Sequence, residues 1–89
     1  MNVKFTKSFA KDLRRYRKNN EFLKQVRNVI ENVEQARFAT DLTGLRQLKA
    51  EGRYYRMRVG DFRIGVSIEG DVVTFVRVLH RREIYRFFP

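Results

Sequence analysis

Cysteine is absent from this chain, proline occurs once, at the last position, and histidine occurs once. Without a thiol there is no disulfide and no thiolate metal site. One imidazole with no cysteine leaves zinc without a ligand set, so neither a metal nor another cofactor is expected. Acidic residues are also few: ten Asp and Glu stand against twenty Lys and Arg. No apolar run approaches the roughly 20 residues of a membrane span, and the start, Met1-Asn2-Val3-Lys4-Phe5, lacks the apolar core of a signal peptide. The expected setting is the cytoplasm, with no membrane partner. Low-complexity tracts and internal repeats are missing too, which argues against disorder.

What is present is charge of one sign. The chain has 89 residues and a formal net charge of +10, with fourteen arginines against six lysines. A single domain, 1–89, is expected at this length, and it buries only about 60–65% of the surface its unfolded chain exposes. So basic a domain carries the electrostatic footprint of a nucleic-acid binder. The excess of Arg suits phosphate, whose oxygens the guanidinium fork takes two at a time. The plainer alternative is a surface kept soluble by charge.

Val3 and Phe5 alternate with polar residues and open a short strand. Thr6 reads as the N-cap of a helix whose apolar positions are Phe9, Leu13 and Tyr16. Asn19-Asn20 breaks that helix and caps a second, where Leu23, Val26, Ile30 and Val33 form the stripe, widened by Phe22 and Val29, to about Arg37. Together they predict a helical hairpin. Residues 38–44 read as a loop. Beyond Gly44 the period becomes two: Leu45 and Leu48 mark a lead-in or short strand, and strand-like runs follow at Arg53 to Val59, Phe62 to Ile68 and Val72 to His80. Gly60-Asp61 and Glu69-Gly70-Asp71 separate them with turn chemistry. The tail carries Ile84, Tyr85, Phe87 and Phe88, read as a last short strand. The predicted fold is α+β: an antiparallel sheet of about four strands, in the order β-α-α-β-β-β, with the two-helix hairpin packed on one face.

Alternation assigns the sheet's faces. Tyr55, Met57 and Val59 face the core, and Tyr54, Arg56 and Arg58 face away. Phe62, Ile64, Val66 and Ile68 face the core, and Arg63 faces away. A two-residue loop at Gly60-Asp61 sets Arg58 opposite Arg63. The third run is apolar on both faces. A three-residue loop at Glu69-Gly70-Asp71 pairs Ile68 with Val72, puts Thr74, Val76 and Val78 in the core and sends Arg77 and Arg81 to the basic face. A two-residue loop would turn Arg77 toward the helices, where an unpaired charge is costly to bury, so the first register is preferred. Like charges opposite one another destabilise a sheet; a polyanion among them would account for their clustering.

The segments Leu48-Lys49, Gly52-Arg53-Tyr54-Tyr55-Arg56-Met57-Arg58-Val59-Gly60-Asp61-Phe62-Arg63 and Val78-Leu79-His80-Arg81-Arg82-Glu83-Ile84-Tyr85 together resemble the RelE toxins of the RelE/ParE toxin–antitoxin superfamily. The likeness covers nearly the whole chain, since the leading strand and helical hairpin fit in order and length. It implies the toxin of a type II toxin–antitoxin system: a ribosome-dependent, metal-independent endonuclease that cuts mRNA in the ribosomal A site and is held by a cognate antitoxin. The family's basic pair falls on Arg56 and Arg58, its hairpin arginine on Arg63, its late basic residue on Arg81 and its C-terminal tyrosine on Tyr85. Arginine replaces the lysine of the best-known members on the first of these strands, and the chain lacks a long C-terminal helix.

Cleavage of this kind proceeds by attack of the ribose 2′-OH on the adjacent phosphate, with the 5′-oxygen leaving. Arg63 and Arg81 suit stabilisation of the added negative charge. Arg56 and Arg58 suit flanking phosphates or orientation of the 2′-OH, and Tyr85 a base or the phosphate. Arginine is a poor general base, so His80, the one residue of the type that most often serves as acid or base, joins the catalytic candidates, although alternation turns it away from Arg81 and a lone histidine is more often structural. Glu51 and Glu83 are further alternatives. Tyr54, Arg53, Arg77, Arg82 and Lys49 complete the expected RNA-binding set. Gly60, Gly65 and Gly70 form no P-loop, and Tyr16, Phe22 and Phe38 read as core. Two other readings remain: a ParE-like toxin that binds and poisons DNA gyrase, and a non-catalytic RNA-binding module.

Overall fold

A computed structural model of the chain describes residues 1–48 and 52–89. The strands are β1 (Asn2–Phe5), β2 (Arg46–Gln47), β3 (Tyr54–Val59), β4 (Phe62–Glu69) and β5 (Val72–His80). The helices are α1 (Lys7–Arg15), α2 (Asn20–Gln35) and a one-turn α3 (Ile84–Phe87). The fold is α+β, as expected, but the sheet has five strands in the order β1-β5-β4-β3-β2. It is also mixed rather than wholly antiparallel, because β1 lies parallel to β5. The tail is helical where a strand was expected: Ile84 and Phe88, four apart, bury one side of that turn and leave Tyr85 exposed.

Local chemistry sets the helix starts. The Thr6 hydroxyl accepts from the Phe9 amide (3.0 Å) and the Asn19 side chain from the Phe22 amide (3.1 Å), each satisfying an orphan donor of the first turn. Phe9, Phe22, Val26 and Val33 then meet Met57, Val59, Ile64, Val66, Val73, Phe75 and Val78 in the main core. Phe38, read as core, is instead 64% exposed. It precedes a short 3-10 turn at Ala39–Asp41 and lies off the end of the helix stripe.

The β4–β5 hairpin departs from expectation. Glu69 pairs with Val72 and Ile68 with Val73, so the loop is the two-residue Gly70-Asp71. Val73 and Phe75, not Thr74 and Val76, therefore enter the core. Gly65 pairs with Arg77 but Val66 pairs with Phe75, which leaves Val76 as an extra residue. This bulge reverses the alternation, so Val78 returns to the core.

The sheet edge at the bulge is sealed by α1 and its cap. Beyond Phe5 there is no β1 partner for β5. There the Thr6 amide donates to Phe75 O (3.1 Å) and its hydroxyl to Val76 O (2.7 Å), while the Asp12 carboxylate accepts from the Val78 amide (3.1 Å).

On the face away from the helix hairpin, Leu79, Ile84 and Phe88 form a second buried cluster, with Leu48, Tyr54 and Val76 packed against it. Gly65 makes this possible: an added Cβ would stand 2.6 Å from Phe88 Cδ2. Gly65→Ala should displace that ring and cost about 1–3 kcal/mol, as overpacking does. Urea denaturation checks this. Phe88→Ala in the same chain should make the alanine far less harmful, the non-additivity expected of touching residues.

Candidate nucleic-acid interface

β3 and β4 build the basic face as alternation requires. Arg58 stands opposite Arg63, and Arg56 opposite Gly65. Arg63 is the best-fixed of the set: it is 8% exposed, and its Nη1 donates to Gly60 O (3.0 Å) and Phe62 O (2.9 Å), the carbonyls of its own turn. Burial and the neighbouring cations Arg58, Arg56 and Arg81 push its pKa below the usual arginine value, with Tyr85 acting in the opposite sense. It stays a cation at neutral pH.

Arg81 follows the end of β5, and its amide donates to Asp61 O (2.8 Å), which fastens it beside the β3–β4 turn. Tyr85, on α3, is 64% exposed, with its ring centroid 6.0 Å from Arg56 Cζ. The Arg56 Nε is buried and lacks an acceptor. Four guanidiniums and a phenol thus share one neighbourhood. None of these arginines is in an ion pair among the described residues.

The other expected residues divide. Tyr54 is on this face, edge-on to Phe88 (5.6 Å), and Arg53 lies over its ring at 5.3 Å while pairing with Glu69 at the surface (3.1 Å). Arg82 is exposed, and its amide donates to His80 Nδ1 (3.2 Å). His80 is opposite Phe62, its ring edge-on to that phenyl at 5.7 Å, on the helix side of the sheet. This matches its predicted face and separates it from Arg63. Glu83 is exposed, and its carbonyl accepts from Arg86 and Phe87. Lys49 and Glu51 lie outside the described residues.

Arg77 is the correction. Its backbone pairs with Gly65 as a basic-face residue should. Its guanidinium, however, donates to both oxygens of Asp12, from Nε at 2.8 Å and from Nη2 at 3.0 Å. The hydrogen bond to Asp12 raises its pKa, against the effect of burial. A cation so occupied is not available to a phosphate. Asp12, 2% exposed, went unnoticed in the sequence, although it stands three residues after Phe9 on the buried side of α1.

A sheet with a helical hairpin on one face and a cluster of arginines on the other is the architecture that the family comparison assigns to small toxins. The chain belongs to the family described as ParE toxin of type II toxin–antitoxin system, parDE, whose model matches residues 3–85. It is 39% identical over 90 residues to Toxin RelE3 of Methanocaldococcus jannaschii, covering 100% of both chains. Among solved structures it resembles a chain of the RelB–RelE antitoxin–toxin complex from Methanococcus jannaschii, with a TM-score of 0.80, 36% identity and coverage of 98% of this chain and 100% of that one. YafQ from E. coli strain BL21(DE3) shares the fold at a TM-score of 0.72 but only 9% identity, covering 94% of this chain and 97% of that one. The chain is thus a type II toxin of the RelE/ParE superfamily.

Proposed function

We propose that this toxin is a ribosome-dependent mRNA endonuclease that works without a metal. The observation that carries the reading is the convergence on Arg63, held by its own turn, of Arg56, Arg58, Arg81 and Tyr85. In the reaction the 2′-oxygen loses its proton and bonds to phosphorus, the P–O5′ bond breaks, and the 5′-oxygen gains a proton. Arg63 and Arg81 hold the phosphate oxygens as charge accumulates on them, the electrostatic role that fixed cations fill best. Arg56 and Arg58 grip adjacent backbone. Tyr85 stacks on a base or orients the phosphate through its hydroxyl. His80, turned against Phe62, braces the turn after β5 instead of taking the proton. With His80 on the other face of the sheet, positioning of the RNA supplies much of the rate.

A cognate antitoxin is the expected partner, as RelB is for the RelE relative of known structure. A groove of about 340 Å³ on the outside of the hairpin, lined by Leu13, Leu23, Val26, Ile30, Arg27, Glu31 and Glu34, fits an amphipathic segment. Among the described residues no helix is long and apolar enough to cross a membrane.

Induced expression followed by primer extension on cellular mRNA tests the reading. Cuts in register with codons are expected, and they should disappear with Arg81→Ala. The family's ParE description keeps a second outcome in view: intact transcripts together with trapped DNA breaks would assign the protein to gyrase. Intact transcripts and intact DNA would leave an RNA-binding module.

A further inference from the structure

The basic face extends onto β2, in the segment that Leu45 and Leu48 mark in the sequence as a lead-in or short strand. β2 is two residues long, and its Arg46 stands directly opposite Arg56. Arg46 therefore shares the face of Arg56, Arg58 and Arg63. Its strand is fastened: the Gln47 side chain donates to Gly52 O (2.8 Å) and the Leu48 amide to Tyr54 O (3.0 Å). Gly44, at φ +74°, turns the chain into it with open space around its α-carbon. Gly44, Leu45, Arg46, Arg56 and Arg58 line a groove of about 490 Å³.

Two arginines side by side across a strand pair repel. Neither is in an ion pair among the described residues, and the buried Arg56 Nε still lacks an acceptor. Arg56 as a whole is only half-buried and lines the groove beside Arg46, so a phosphate there can lie against both side chains. Sheet spacings put the Arg46 and Arg63 α-carbons about 12 Å apart, two strands across and two residues along. That distance suits a neighbouring phosphate better than the one held by Arg63.

Resting on the nuclease reading, we infer that Arg46 and Arg56 form a second backbone subsite, which holds a phosphate of the same RNA strand away from the scissile one. A protein carboxylate is the competing occupant. Continuity with the Arg58–Arg63 pair favours RNA, because one polyanion can run across both.

The test measures binding of the full chain to 2′-O-methylated RNA, which cannot be cut, as a trinucleotide and as a nonanucleotide. Arg46→Ala should weaken nonanucleotide binding about fivefold, the upper range for an exposed ion pair. It should also reduce the slope of log affinity against log salt by about 0.7, the value of one single-strand phosphate contact. Trinucleotide binding should be unchanged, and Arg46→Lys should keep most of the slope. Arg63→Ala should weaken both oligonucleotides. An Arg46→Ala chain that binds the nonanucleotide with wild-type affinity and slope, while Arg63→Ala binds poorly, would overturn the subsite and leave the nuclease reading intact. Loss with Arg46→Ala and none with Arg63→Ala would support the subsite and remove Arg63 from the RNA path. Weakened binding of poly-glutamate alone would give the groove to a protein and overturn the proposal.

Discussion

Arg63→Ala is expected to slow mRNA cleavage by about 10²–10³-fold, the loss typical when one fixed donor to a transition-state oxyanion is removed. The fall, measured by single-turnover cleavage of a programmed ribosome, should far exceed the accompanying loss of RNA affinity. The reason is geometric. Two carbonyls of its own turn hold the Arg63 guanidinium in place, so little reorganisation is needed when charge develops on the phosphate. Arg58 directly across the strand pair, and Arg56 and Arg81 nearby, raise the local potential further but are less constrained, Arg58 and Arg81 being exposed. Arg63→Lys should recover only part of the rate, because an ammonium keeps the charge and loses the fork. A thermal melt separates this from unfolding. A variant that cleaves within a few-fold of wild type would remove Arg63 from the mechanism.

Asp12→Ala should be the most destabilising change at any charged residue of the helix hairpin, at about 3 kcal/mol. Breaking a buried ion pair from one side costs about 3–5 kcal/mol because the surviving charge is stranded. The lower end applies here, since the Arg77 side chain retains 22% of its exposure and can rehydrate in part. Asp12 is also the acceptor for the Val78 amide on the edge of β5 that β1 does not reach, so that donor is orphaned as well. Against a total stability of about 5–15 kcal/mol, such a loss should be plain in the urea midpoint. Arg77→Met added to Asp12→Ala should restore a large part of it, since no charge is then left stranded. An Asp12→Ala chain with an unchanged midpoint would show that the pair contributes nothing net.

How well the sequence revealed each element depended on how strictly its side chains alternate. In β3 and β4 arginine and apolar residues take turns, and Gly60-Asp61 admits one tight turn, so the Arg58–Arg63 pairing and the faces of Arg56 and Met57 could be read directly. In β5 both sides are apolar, and neither the Gly70-Asp71 turn nor the bulge leaves a compositional trace. An unpaired Arg77 would be costly to bury, but Asp12, hidden among the lysines and arginines of α1, supplies the countercharge. The spacing of Ile84 and Phe88 carries a helical signal that the surrounding aromatics masked as a strand. Arg46 was missed because a two-residue strand is too short to show a period. The converging set was legible from the strand faces together with the family likeness, whereas the environments of His80 and Arg77 required coordinates.

The extra residue at Val76 divides β5 into two reading frames. Before it the odd-numbered Val73 and Phe75 look toward the helices; after it the even-numbered Val78 and His80 do. One half of the strand is thereby free to serve as ballast for the hairpin while the other aims Leu79 at the opposite surface and leads the chain on to Arg81. Such a strand can exchange one side chain for another over many generations. It cannot change its length by a single codon in that stretch without turning one of its two halves inside out.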